Sequence, residues 1–148
     1  MSLDAYLSDL ISLEANLEKE IEKIIADNQS FLVGLVKNRL YQRGYDADNK
    51  PILPDYTPST IRRKKEDKQR TSHVTLRDTG DFYKGMFVEV TNWLIKVDST
   101  DGKTDSLISK YGEGILGFTE AEQEQIIFSI IEPAIQKILN SLQGNIEI

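Results

Sequence analysis

Apolar residues recur every three or four positions from residue 3 to residue 35, the spacing that places them on one face of an α-helix. This stripe consists of Leu3, Leu7, Leu10, Leu17, Ile21, Ile24, Phe31 and Leu35. Glu14 and Asn28 interrupt it, which disfavours a coiled coil and suggests a break near Asn28. The pattern predicts one long amphipathic helix, or two in series, over residues 1–43, with Ser2 as the first cap and Gly44 as the left-handed stop. We expect the stripe to be core, although its first two turns could project from the domain. A partner-binding helix is the alternative.

The next segment, residues 44–75, is predicted to be a loop with a basic part. Prolines at positions 51, 54 and 58 block both helix and central strand. Pro58 could nevertheless open a short helix. Asp46 and Asp48 alternate as calcium ligands can, but the glycine and the closing glutamate of a calcium loop are missing. We therefore interpret these two aspartates as turn formers.

Alternation with a period of two follows, in residues 76–98, after a turn at Thr79–Gly80. It predicts an antiparallel hairpin with strands at Gly85–Val90 and Trp93–Asp98 and a turn at Thr91–Asn92. Phe82 and Tyr83 fit the alternation of the first strand. We expect Trp93, the only tryptophan, to anchor the core.

A second helical region is predicted over residues 119–143. Thr119 and Glu122 have the spacing of a capping box, and a shorter element that ends at Gly112 precedes them. Because proline lacks the N–H that continues a helix, we expect either a kink at Glu132–Pro133 or two helices that share one line. The apolar stripe here consists of Ile126, Ile127, Ile130, Ile131, Ile135, Ile138, Leu139 and Leu142. Together the elements predict an α+β fold in a single domain, residues 1–148: a small antiparallel β-sheet flanked by a long N-terminal helix and a Pro-kinked C-terminal helix.

Composition narrows the possible functions. The 148 residues carry a net charge of -6 and no cysteine, which excludes disulfides and thiolate metal sites and suits a reducing cytoplasm. No apolar run approaches the roughly 20 residues that cross a bilayer, so we expect no membrane partner. Both ends of the chain are acidic and the middle is basic. Either these are ordinary solvated faces, or copies of the chain stack head to tail.

The basic part of the middle segment is a candidate contact for phosphates or for an acidic partner. It consists of Arg62, Arg63, Lys64, Lys65, Lys68 and Arg70. A solvated mobile loop is the simpler interpretation. Such bases would give salt-sensitive affinity without sequence choice, and no aromatic residue is interleaved to stack on single strands.

Catalytic patterns are missing from the sequence. The single histidine, His73, lies in a polar loop and is expected at the surface. Ser72 and Asp78 are near it, but nothing places them as nucleophile and orienting acid. No metal cluster and no phosphate-binding glycine loop appears, so we predict a protein that is not an enzyme and uses no cofactor.

Four short motifs follow one another along the chain: Thr57–Ile61 with the basic spacer after it, Thr75–Phe82, Lys110–Gly112 and Leu116–Glu120. In this order and spacing, they resemble the tailed-phage virion morphogenesis and tail-completion proteins. The motif positions are Thr60, Leu76, Thr79, Gly80, Tyr111 and Gly112. The chain departs from the family at residues 112–117, which lack an Ile-Pro-Ala-Arg-Pro-like stretch, and at Tyr56, where the family has a tryptophan-like position.

The resemblance implies an α+β structural protein at the head-tail neck or tail end of a virion, often assembled as a ring. Its partners would be copies of itself, the phage head connector and tail proteins, and it would be found in the virion and, during assembly, in the cytoplasm of the bacterial host. An acidic lumen would let DNA pass without sticking. A nucleic-acid-binding accessory protein that uses Arg62–Arg70, without sequence specificity, is the alternative.

Overall fold

Helices and one β-hairpin form the fold in the computed structural model, which describes residues 2–143. The predicted α+β class is confirmed. The α-helices are α1 (Leu3–Asp27), α2 (Gln29–Asn38), α3 (Pro58–Glu66), α4 (Asp81–Lys84), α5 (Thr104–Tyr111), α6 (Glu120–Ile126) and α7 (Glu132–Gln143), and the strands are β1 (Met86–Thr91) and β2 (Leu94–Ser99). Wider π turns continue α2 at Arg39–Arg43 and α6 at Ile127–Ile131, and a 3-10 turn spans Glu113–Ile115.

Local capping chemistry sets the ends of the N-terminal helices, as predicted. The Ser2 hydroxyl accepts a hydrogen bond from the Ala5 amide at 3.2 Å, and Asn28 is the C-cap of α1. The π turn after α2 ends at Gly44, whose φ of 64° is left-handed. A Cβ at Gly44 would lie 2.6 Å from the His73 ring, so glycine is needed there for space as well as for φ.

The buried positions of the N-terminal helices lie one residue after those of the predicted stripe, which corrects the expectation that the stripe itself is core. The buried side chains are Ile25, Leu32, Val36 and Leu40, whereas Phe31 of the stripe is 39% exposed. Towards the N-terminus, Leu3 and Leu7 are 70% and 46% exposed, and Ile11 beside them is 67% exposed. Leu10 and Leu17 are partly buried. Full burial in α1 is therefore reached only at Ile25, and its outermost apolar side chains are exposed.

The hairpin forms one residue later than predicted. Its two-residue turn is Asn92–Trp93, where both φ angles are positive, 50° and 66°, as in a type I′ turn. Trp93 is therefore 57% exposed and does not anchor the core. Phe82 is buried from the short helix α4 and not from the strand.

The two strands pair antiparallel, with Val88 opposite Val97. At Val88, the outer edge of β1 is covered by the side chain of Gln29 at the start of α2. Its amide nitrogen donates to the Val88 carbonyl at 2.5 Å, and its amide oxygen accepts from the Val88 N–H at 2.9 Å. One glutamine thus makes the pair of hydrogen bonds that a neighbouring strand would make.

The segment predicted as a loop over residues 44–75 contains the helix α3. Thr57 caps it by accepting from the Thr60 amide at 3.3 Å, and Pro58 occupies its first turn. Asp46 is a turn former, as predicted, because its carboxylate accepts from the Asp48 and Lys50 amides at 2.9 and 3.0 Å.

The C-terminal helical region begins with the predicted capping box of Thr119 and Glu122. The interruption expected at Pro133 takes the form of the π turn Ile127–Ile131 directly before it. Such a turn suits a residue that has no N–H to donate.

A buried ion pair joins the two helical regions. Arg39 is 3% exposed and bonds with the Glu122 carboxylate, at 2.7 Å from Nη1 to Oε2. Arg39 also donates to the carbonyls of Tyr45 at 3.0 Å and Gly117 at 2.8 Å.

Candidate functional site

The motif positions that carry the family resemblance come together around one cleft. Its volume is about 480 Å³, and it lies between α3, the loop before α4, and α5. Five of the six motif residues line it: Thr60, Leu76, Thr79, Gly80 and Tyr111. The sixth, Gly112, ends α5 with a φ of 93°. Residues that are far apart in the sequence thus border a single surface feature.

Two tyrosines hold the strand-like loop behind the cleft in place. The Thr75 amide donates to the Tyr56 hydroxyl at 2.9 Å, and the Tyr83 hydroxyl donates to the Thr75 carbonyl. Burial raises the pKa of Tyr83 above its usual range, so the phenol stays protonated as the donor. Both backbone groups of Thr75 are thereby satisfied by side chains.

The loop between Thr75 and α4 is conformationally constrained. Leu76 has a φ of 57°, which is unfavourable for a side chain with a Cβ, and its side chain is buried. Gly80 has a φ of 92°, which glycine adopts readily. The motif Leu-x-x-Thr-Gly therefore fixes a backbone shape at the cleft wall.

Lys64, which belongs to the basic segment, is buried, so the expectation of a solvated loop is wrong for this residue. It is 3% exposed and not part of a solvated loop. Its ammonium donates to the Gln69 side chain at 3.0 Å and to the Arg77 carbonyl at 2.9 Å. It also lies 4.9 Å from the centre of the Tyr56 ring, a cation–π distance. Lys64 thus ties α3 to the cleft loop.

Arg63 pairs with Asp78 at the rim of the cleft, at 2.9 Å. The hydrogen bond from Arg63 lowers the pKa of Asp78. About half of each side chain is exposed, so the pair contributes little to stability. Asp78 is therefore engaged by Arg63 and not by His73.

The other bases of the segment separate into two groups. Arg62, Lys65 and Lys68 are exposed and do not line the cleft. Arg70 turns inward, donates to the Tyr41 carbonyl at 3.2 Å and lies 5.0 Å from the Tyr41 ring centre. The six bases therefore do not form one continuous patch.

His73 has a structural role, which corrects the expectation of a surface residue. It is partly buried, and its Nε2 lies 2.7 Å from the Tyr41 carbonyl. Its Nδ1 lies 3.1 Å from the Ser72 hydroxyl. His73 and Arg70 together satisfy a carbonyl at the end of the N-terminal helical region, a position where partners are otherwise missing.

The cleft lining is mixed in charge. Its bases are Arg63, Lys64, Arg77, Lys103 and Lys110, and its acids are Asp55, Asp78, Asp81 and Asp101. Within residues 2–143, no group of three potential ligands is close enough to hold a metal ion. Helices long and apolar enough to cross a membrane are also missing from that part of the chain.

Comparisons with protein-family models, curated proteins and solved structures found no match.

Proposed function

We propose that this chain is a non-enzymatic assembly protein of a tailed phage or prophage virion, at the head-tail neck or tail end. The observation that carries the proposal is the cleft, because the motif positions of the resembled family line it together. Their roles are structural: a left-handed glycine, a strained leucine and a tyrosine wall shape a surface. A shaped surface of mixed charge suits contact with another protein.

The proposal includes self-association through the outer part of α1, which we call the outer stripe (Leu3, Leu7 and Ile11). Large apolar side chains exposed in a row are typical of an interaction surface. The exposed acids beside them, such as Asp4 and Glu14, would orient a partner. Copies of the chain would form a ring that contacts the head connector and the tail proteins.

Native mass measurement with negative-stain imaging tests this self-association. We expect oligomers in the unchanged chain and their loss in the double variant Leu7→Asp/Ile11→Asp. The matched control is Ser8→Asp/Ser12→Asp, which adds the same charge at exposed positions of the same helix and should leave the oligomer intact. A chain that is monomeric at every concentration, or equal behaviour of the two variants, would contradict the oligomer.

One observation favours the alternative, a nucleic-acid-binding accessory protein. Arg62 and Lys65 are exposed and three residues apart on α3, so they share a helix face, with Lys68 nearby in sequence. We expect weak binding to duplex DNA at low salt, because the chain is acidic overall. Tight binding that is lost in Arg62→Ser/Lys65→Ser/Lys68→Ser, but kept when Lys19, Lys23 and Lys137 are neutralised, would favour the alternative.

A further inference from the structure

The N–H and C=O groups that β1 and β2 do not use to pair with each other point outward at the two edges of the sheet. The Thr100 amide donates to the Gly85 carbonyl at 3.0 Å, and hydrogen-bonded pairs alternate along an antiparallel ladder. With the observed register, Phe87–Asp98 and Glu89–Lys96 are hydrogen-bonded pairs. The N–H and C=O groups of Ile95 and Val97 therefore point away from β1.

No hydrogen bond from outside the hairpin reaches the backbone of Ile95 or Val97, as far as residues 2–143 are concerned. The backbone groups of Ser99, the next residue of β2 that faces outward, are bonded to neighbouring side chains. The Asp98 carboxylate accepts from the Ser99 amide at 2.8 Å, and the Thr104 hydroxyl donates to the Ser99 carbonyl at 3.3 Å. On the opposite edge, the Gln29 side chain bonds to both backbone groups of Val88. The outward groups at the centre of β1 are thus bonded, whereas those of Ile95 and Val97 on β2 have no such partner in the described part of the chain, and we call this side of β2 the open edge.

A groove of about 340 Å³ runs along the open edge. One wall is β2 from Ile95 to Asp98, and the other comes from α5 and the segment after it. The apolar part of that second wall is formed by Ile108, Leu116 and Phe118. A strand lying in the groove would bond to Ile95 and Val97 and would face these apolar side chains.

The groove is acidic. Asp98, Asp105 and Glu113 line it, against Lys96 alone. Lys96 is opposite Glu89 in the neighbouring strand, so its charge is partly offset within the hairpin. The charge of the groove therefore complements a basic segment.

We propose that the outer edge of β2 accepts, as a third and antiparallel strand, an extended segment of a partner protein in which β-branched apolar residues alternate with lysine or arginine. The apolar residues would be opposite Ile95 and Val97, with their side chains on the core face of the sheet. The basic residues would be on the solvent face. The inference rests on the proposed function in so far as it names a partner class for that protein's contacts.

The test uses the full chain and a fluorescein-labelled peptide of alternating valine and lysine, blocked at both ends. We expect saturable binding by fluorescence anisotropy, weaker in high salt, with at least tenfold slower amide hydrogen exchange at Ile95 and Val97. The matched controls are two N-methylated peptides. Methylation of the valine amides removes the donors that face β2 and should weaken binding about tenfold or more, whereas methylation of the lysine amides should leave it nearly unchanged.

Three results would overturn the inference: no saturable binding, equal affinity for both methylated peptides, or equal affinity for a valine-glutamate peptide. Protection of Ile95 and Val97 that rises with protein concentration, without peptide, would show that a second copy occupies the edge instead. Loss of oligomers in the outer-stripe variant with unchanged peptide binding would separate the two proposals. The same separation follows if the chain is monomeric and still binds the peptide.

Discussion

The two ends of the N-terminal helical region carry the same spacing of apolar residues in different surroundings. At the inner end, residues 25–43, the side chains of Ile25, Leu32 and Leu40 are at most 1% exposed. At the outer end, residues 3–18, the outer stripe is largely exposed. A helical period therefore predicts that a face will be covered, but not whether this chain or a partner covers it. The predictions that follow test this difference, from the largest expected effect to the smallest.

Arg39 should be the most costly residue to change at the inner end. Arg39→Met leaves the Glu122 carboxylate without its partner in a mostly buried place, and breaking such a pair costs about 3–5 kcal/mol. Urea denaturation followed by circular dichroism measures the loss. The control is Arg63→Met, whose half-exposed pair should cost less than about 1 kcal/mol. Equal losses in the two variants would mean that burial does not distinguish these pairs.

Leu32→Ala should lower the free energy of unfolding by about 2–5 kcal/mol, because it leaves a cavity at a fully buried position. The same urea titration measures it. A loss below about 1 kcal/mol would show that the inner end is loosely packed and that the contrast with the outer end is overstated.

Gln29→Leu should cost about 1–2 kcal/mol, since it removes two hydrogen bonds from the backbone of the buried Val88. Amide exchange at Val88 should also become faster. Gln125→Leu is the control, at an exposed position of α6, and should change stability by less than about 0.5 kcal/mol. Unchanged exchange at Val88 would contradict the covering role of Gln29.

Leu7→Ala should change the free energy of unfolding by less than about 0.5 kcal/mol, because the side chain is already exposed. Its effect should appear in native mass spectra as weaker self-association. A loss comparable to that of Leu32→Ala in the monomer would show that the outer end packs on the domain in solution.

The ends of several helices could be predicted from the neighbouring residues alone. Ser2, Gly44 and Thr119 each act on backbone groups within a few residues, and such effects are visible in a short stretch of sequence. The hairpin was also predictable in existence and direction, because alternation reports a half-buried strand.

Trp93 and Lys64 could not be placed from the sequence. Residue type favours a buried tryptophan and an exposed lysine, but a turn one residue later puts Trp93 at the hairpin tip. Lys64 is buried because its face of α3 meets Tyr56 and the Arg77 carbonyl. The exposure of Trp93 depends on strand register and the burial of Lys64 depends on tertiary contacts, and residue type determines neither.

The candidate site was predictable only as motif positions, through the resemblance. That Thr60, Leu76 and Tyr111 border one cleft follows from the tertiary placement of α3, α5 and the loop before α4 around it. The burial of Arg39 could not be predicted, because an arginine in an amphipathic helix ordinarily faces solvent. The open edge of β2 could not be predicted either, because it depends on the register of the hairpin and on whether another element pairs with Ile95 and Val97.

Glu122 serves two structures at once. Its carboxylate accepts from the Thr119 amide at 3.2 Å, which closes the start of α6, and it also receives Arg39 from the inner end of the N-terminal helical region. Fraying of the first turn of α6 would therefore remove the charge partner of Arg39, which keeps its bonds to the carbonyls of Tyr45 and Gly117. The inner end of the N-terminal helical region and the first turn of α6 are consequently expected to lose protection together in hydrogen exchange, although more than eighty residues separate Arg39 from Glu122.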